Sequence, residues 1–122
     1  MKKIFKENKY KNKKQPRVIG GKIVWFDSIK EAERYDDLYL LEKAKKISNL
    51  EIQPEFELIP TFDYRGKTMR GVKYIADFKY NIGNKTVVED VKSEFTAKDK
   101  TYRVKIKLFL LMYGKDIDFK EV

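Results

Sequence analysis

Residues 72–92, VKYIADFKYNIGNKTVVEDVK, read as a strand, a tight turn and a second strand, with Asp77 in the first arm and Asp90-Val91-Lys92 closing the second. Two carboxylates and an ammonium at adjacent strand ends are a compact kit for holding a divalent cation and cutting a phosphodiester. Side chains alternate along a strand, so Asp90 and Lys92 share one face and Glu89 takes the other. A turn between Tyr80 and Lys85 lets the two strands pair and brings Asp77 close to Asp90. The two carboxylates and the main-chain carbonyl of Val91 then offer hard oxygen ligands suited to Mg2+, with Mn2+ as a substitute. Lys92 beside them could orient or help deprotonate an attacking water. The bland alternative is an exposed strand pair with cross-strand charges, worth roughly a few tenths of a kcal/mol. Against it, Asp is a poor strand former and interrupts apolar arms at both places. The D/E-x-K spacing carries little weight by itself, since Glu7-Asn8-Lys9 and Asp118-Phe119-Lys120 repeat it.

Glu31 is a third candidate acid. Ser28-x-x-Glu31 could place a carboxylate on the first turn of a helix facing the sheet. The same spacing is the capping box, in which the glutamate returns to the helix's own N-terminus, and the residues alone leave both open. Lys100, Arg103, Lys105 and Lys107 follow on a second helix. Arg103 and Lys107 are i,i+4 neighbours that could line a phosphate track or simply form a solvated face.

The composition narrows the chemistry. The chain has 122 residues, no cysteine and no histidine. This removes disulfides, thiolate and imidazole metal sites, and Ser-His or Cys-His nucleophiles. What remains is carboxylate, lysine and tyrosine chemistry around an oxygen-ligated metal, with no organic cofactor expected. Eight Phe and eight Tyr are enough for one modest core. No apolar run is long enough to span a membrane and no secretory signal is legible, so a cytoplasmic location is expected.

The formal net charge is +9, and residues 1–22 hold nine Lys/Arg against the single acid Glu7. Residues 1–21 therefore read as a flexible basic arm, with Gly20-Gly21 as its joint, on a nearly neutral domain of residues 22–122. Lys11, Lys13, Lys14 and Arg17 would meet a polyanion, each neutralised phosphate releasing counterions. A solubilising leader is the alternative.

The elements that must position these groups follow from periodicity. Lys22–Phe26 reads as a short strand with Trp25 as a core anchor. Asp27-Ser28 opens a helix to Lys46 with Ile29, Ala32, Tyr35, Leu38, Tyr39, Leu41 and Ala44 on one face. Leu50–Ile59 is a strand marked by Pro54, residues 60–71 form a bend, and Val72–Tyr80 and Lys85–Lys92 are the next strands. Residues 93–100 are a polar loop. Thr101–Tyr113 is a helix with Ile106, Phe109, Leu110 and Tyr113 inward and Tyr102 at the core or its rim, ending at Gly114. Ile117–Val122 is a last strand. Helix, three strands, helix, strand gives a mixed α/β domain: a meander, then a crossover helix that returns to add a strand.

These residues and their order resemble the PD-(D/E)XK, or restriction-endonuclease-like, nuclease superfamily, and within it small phage-encoded members of unknown function. The resemblance rests on the helix opening at Phe26-Asp27-Ser28-Ile29-Lys30-Glu31, on Gln53-Pro54, on Tyr74-Ile75-Ala76-Asp77-Phe78, on Val88-Glu89-Asp90-Val91-Lys92, and on the Tyr102…Lys105…Lys107-Leu108-Phe109 helix. It spans residues 23–122 and leaves out the arm. It implies an αβββαβ core with a mixed sheet flanked by helices. Asp77 matches the motif's first aspartate, preceded here by Ala76 where the motif has proline; Asp90 and Lys92 match its later acid and lysine. Ser28-x-x-Glu31 resembles the glutamate-bearing first helix of phage junction resolvases, which implies a site role for Glu31. The implied activity is Mg2+-dependent DNA cleavage, on branched DNA such as a Holliday junction in phage replication or recombination. Two matched cuts imply a homodimer. The rivals are a DNA-binding module that kept the fold without cutting, and a replisome or assembly adaptor whose basic arm docks on an acidic partner.

Overall fold

The structure is a computed structural model that describes residues 13–92 and 99–122. Lys11 and most of the 93–100 loop lie outside the described residues. The chain divides into two compact units, residues 1–46 and 47–122.

In the first unit, β1 (Gln15–Ile19) pairs antiparallel with β2 (Lys22–Phe26), Ile19 opposite Lys22. The expected arm and joint are thus a hairpin from Gln15 onward. Gly20 and Gly21 both have positive φ, 58° and 79°, which is what a two-residue turn matching the strand twist requires. Trp25 is 55% exposed and is not a core anchor. Strand alternation sends Phe26 inward and Trp25 outward on a ribbon that has two strands among the described residues. Helix α1 (Ile29–Lys43) starts at the Ser28 N-cap and buries Ala32, Tyr35 and Leu38. It ends short of Lys46 because Ala44 caps it and Lys45 turns left-handed, φ 62°. Phe26 stacks on Tyr35 with ring centres 5.5 Å apart.

In the second unit, the long strands expected at 50–59 and 72–80 are each broken in two. β3 (Ser48–Ile52) and β8 (Phe78–Ile82) pair in one sheet; β4 (Glu55–Ile59) and β7 (Val72–Ile75) pair in another. The break falls at Gln53-Pro54 on one side and Ala76-Asp77 on the other. Pro54 has no N–H to give a ladder, and Gln53 adopts φ 54°. The main chains stay joined across the break by Gln53 N–H to Asp77 O at 2.9 Å and Ala76 N–H to Pro54 O at 3.1 Å. Between them, β5 (Phe62–Tyr64) and β6 (Lys67–Met69) form a small hairpin.

β9 (Lys85–Asp90) runs antiparallel to β8, and β10 (Ile117–Glu121) runs parallel to β9, giving the sheet order β10-β9-β8-β3. β9 is internal and buried from Val87 to Asp90. The parallel step is made by α2 (Lys100–Tyr113), which is followed by one 3-10 turn, Gly114–Asp116. Phe56, Leu58, Tyr74, Ala76, Val88, Ile106 and Phe109 form the core between sheet and helix. Phe109 meets Phe56 edge-on at 4.8 Å and lies 5.0 Å from Tyr74. The architecture is mixed α/β, as the pattern implies. No helix among the described residues is long and apolar enough to cross a membrane.

Candidate active site

Asp77 sits at the break between β7 and β8, off the regular ladder. Its main-chain N–H reaches Glu89 O at 3.1 Å, and its Oδ2 accepts the Val91 N–H at 2.6 Å. Asp77 is therefore fastened directly to the centre of the Asp90-Val91-Lys92 triplet. That triplet leaves β9 at its C-terminal end. The pairing with the C-terminal strand continues past it: Val122 N–H donates to Asp90 O at 2.9 Å, and Lys92 N–H to Val122 O at 2.8 Å.

Asp90 is buried, and both of its oxygens are engaged. The Tyr74 hydroxyl donates to Oδ2, and the Lys92 ammonium lies 2.9 Å from Oδ1. The Asp90 and Lys92 side chains are only 11% and 12% exposed. This departs from the exposed cross-strand pair of the bland reading. Glu89 points to the opposite face, as strand parity requires, and is fully buried, accepting the Tyr80 hydroxyl.

Two tyrosines complete the site, and the sequence reading assigned neither to it. Burial, reinforced by the charge and hydrogen bond of Asp90, pushes the Tyr74 phenol far above its ordinary range. Burial, then the hydrogen bond to Glu121, does the same to Tyr102. The charges of both Asp77 and Asp90 act on both phenols. The two carboxylates thus share one neighbourhood, and both tyrosines stay protonated as donors. The Lys92 ammonium also lies 3.4 Å from the centre of the Tyr102 ring. The one legible signal was spacing: Tyr74 precedes Asp77 by three residues, and Tyr102 opens the helix after Lys92.

Among the described residues, no three acidic side chains come together as a metal-holding group. Mg2+ is commonly held by one or two carboxylates with waters filling the rest of its shell. Asp77 and Asp90, whose charges reach the same two phenols, are the carboxylates that could serve such a cation; Asp90 Oδ1 and Oδ2 and Asp77 Oδ2 already hold protein partners. Glu31 belongs to the first unit. Its N–H donates to Ser28 Oγ at 3.1 Å, and the Ser28 hydroxyl faces its carboxylate at 3.2 Å, which is helix capping.

The expected DNA-contacting residues divide. Lys13 and Lys14 are exposed. Arg17 is committed within its own unit, its Nε and Nη2 both 2.8 Å from the Asp36 carboxylate, which raises the guanidinium and lowers the Asp36 carboxyl. Arg103 and Lys107 are exposed on α2. Lys100 and Lys105 instead line an open pocket of about 570 Å3 together with Lys73 and the apolar Ile59, Val72, Val104 and Leu108. Val72 is two residues from Tyr74, and Thr101, also in its wall, is next to Tyr102.

The fold and site define a mixed α/β protein with a buried, tyrosine-backed Asp-Lys pair at a strand end. The chain belongs to the family described as protein of unknown function (DUF1064), whose model matches residues 7–120. Comparison with curated proteins and with solved structures returned no match.

Proposed function

We propose that this chain is a metal-dependent DNA endonuclease with a restriction-endonuclease-like core. The observation that carries the reading is the placement of Lys92 at 2.9 Å from Asp90, with Asp77 bonded to the intervening Val91 N–H. A lysine ammonium buried between a carboxylate and an aromatic ring is an unusual arrangement to keep for stability alone, since desolvation offsets most of the attraction. The sheet order β10-β9-β8-β3, with α2 leading into a β10 parallel to β9, supports the same reading, although β4–β7 lie outside that sheet.

In this reading Asp77, Asp90 and the Val91 carbonyl would hold Mg2+ or Mn2+. The bound cation supplies Lewis-acid stabilisation of the charge that builds on the phosphate. Lys92 orients the attacking water and shares the negative charge. Tyr74 holds the Asp90 carboxylate and, being protonated, is not the base. Lys100 and Lys105, with the exposed Lys13, Lys14, Arg103 and Lys107, contact phosphates. Branched DNA is the proposed substrate, cut by two copies of the chain.

The test is side-by-side nicking of a four-way junction, a flap and a linear duplex, with and without Mg2+. Wild type is expected to cut the branched substrates only with metal, and Asp90→Asn to bind them without cutting. Binding with no cleavage under any condition would refute the enzyme reading and leave a binding module.

A further inference from the structure

We infer that Tyr102 is the positioning residue of Lys92. A lysine side chain carries about 2 kcal/mol of rotamer entropy, so an ammonium that must meet a water at a fixed place needs a seat. Asp90 supplies one side, at 2.9 Å. The Tyr102 ring supplies another, 3.4 Å from ammonium to ring centre, within the range of an attractive cation–π contact. The ring is itself held. Its hydroxyl donates to Glu121 Oε2 at 2.6 Å, and its ring centre lies 6.5 Å from that of Tyr74 with the planes tilted by 60°.

Glu121 is also the residue of β10 that lies opposite Asp90 in the parallel pairing. The next residue, Val122, bonds the main chain of both Asp90 and Lys92. One strand therefore fixes the backbone of the triplet and, through Glu121, the aromatic wall against which Lys92 lies. The loop of contacts closes on itself: Lys92, Tyr102, Glu121, β10 and Lys92 again. A rim aromatic that only covered the core would need neither the ammonium over its face nor an anchored hydroxyl.

The catalytic consequence rests on the nuclease reading; the seat itself does not. The experiment uses the full chain and three variants: Tyr102→Leu, which removes the ring; Tyr102→Phe, which keeps the ring and drops the anchor; and Glu121→Gln, which keeps an acceptor. The first readout is the ring-current shift of the Lys92 side-chain methylene protons by NMR. It is expected upfield in wild type, retained in Tyr102→Phe and Glu121→Gln, and lost in Tyr102→Leu. The second is Mg2+-dependent cleavage of the four-way junction. For Tyr102→Leu, kcat is expected to fall roughly 10–100-fold, the size seen when a residue supporting a site is removed, with KM little changed and Tyr102→Phe intermediate. An unshifted Lys92 in wild type, or a shift that survives Tyr102→Leu, overturns the inference. So does loss of the shift with full kcat. A wild type that cuts nothing refutes the nuclease reading, while the shift still decides the seat.

Discussion

Removing the Lys92 charge tests whether the Asp90–Lys92 pair is a coupled, desolvated unit. The charges are 2.9 Å apart and the two side chains are 11% and 12% exposed. At an effective dielectric near 20, that separation corresponds to an attraction of about 6 kcal/mol. Desolvation of the two ions cancels much of it, and breaking such a pair by removing one partner costs about 3–5 kcal/mol. The Tyr74 hydroxyl still donates to Asp90 after Lys92→Met, so the lower end, about 3 kcal/mol, is expected. With a urea slope of about 1.5 kcal/mol/M, the midpoint falls by about 2 M. Asp90→Asn leaves the ammonium without its closest carboxylate and should cost a similar amount. The double variant Asp90→Asn/Lys92→Met should lose no more than either single change, about 3 kcal/mol against a sum of about 6, giving a coupling near 3 kcal/mol in a urea double-mutant cycle. It should also remain folded and cut no DNA. Losses that add to within about 0.5 kcal/mol would mean the two charges are independently solvated, and the argument for a preorganised site would fail.

Other expectations follow from the same contacts. A Cβ at Gly71 would lie 2.5 Å from Ile59 O and 2.9 Å from Thr61 N, both backbone atoms; Gly71→Ala should lower stability by about 1–3 kcal/mol in thermal melts. At Gly114, with φ −64°, a Cβ meets only Leu110 side-chain atoms at 3.6 and 3.7 Å, so Gly114→Ala should be neutral or slightly stabilising. The raised Tyr74 and Tyr102 phenols contribute stability that is complete below the ordinary phenol value of about 10 and is lost as pH climbs beyond it. Tyrosinate absorbance for these two should therefore appear only together with alkaline unfolding; free titration near the ordinary value would contradict their burial. The lowered Asp36 carboxyl works in the opposite sense, its contribution present above the unfolded value and lost as pH falls, so hydrogen-exchange protection in β1, measured against the intrinsic exchange rate at each pH, should fall in acid and in Asp36→Asn at neutral pH. Glu31→Ala keeps the main-chain N–H that caps on Ser28 and should weaken α1 by only about 0.3–1 kcal/mol, the worth of an acid in a helix's first turn. Loss of junction cleavage by folded Glu31→Ala would assign that carboxylate a second role; unchanged cleavage would leave it as a cap.

Local pattern carried a great deal here. Alternation and turn residues placed β9 and the tight link before it, helical spacing placed both helices, and parity along β9 put Asp90 and Lys92 on the face opposite Glu89. These are properties of a few neighbouring residues, so the sequence alone could state them. It could not show that Pro54 breaks two strands at once, because the break opposite it at Asp77 is imposed across the pairing. Nor could it show that Gln15–Ile19 folds back on Lys22–Phe26, since the lysine-rich composition hides a short ribbon. The partners of the candidate site were beyond reach for the same reason. Tyr74, Tyr102 and Glu121 meet Asp90 and Lys92 only once β10 lies beside β9 and α2 covers the sheet. Which charges are buried, and what neutralises them, depends on contacts between segments far apart in the chain, and those are decided by packing.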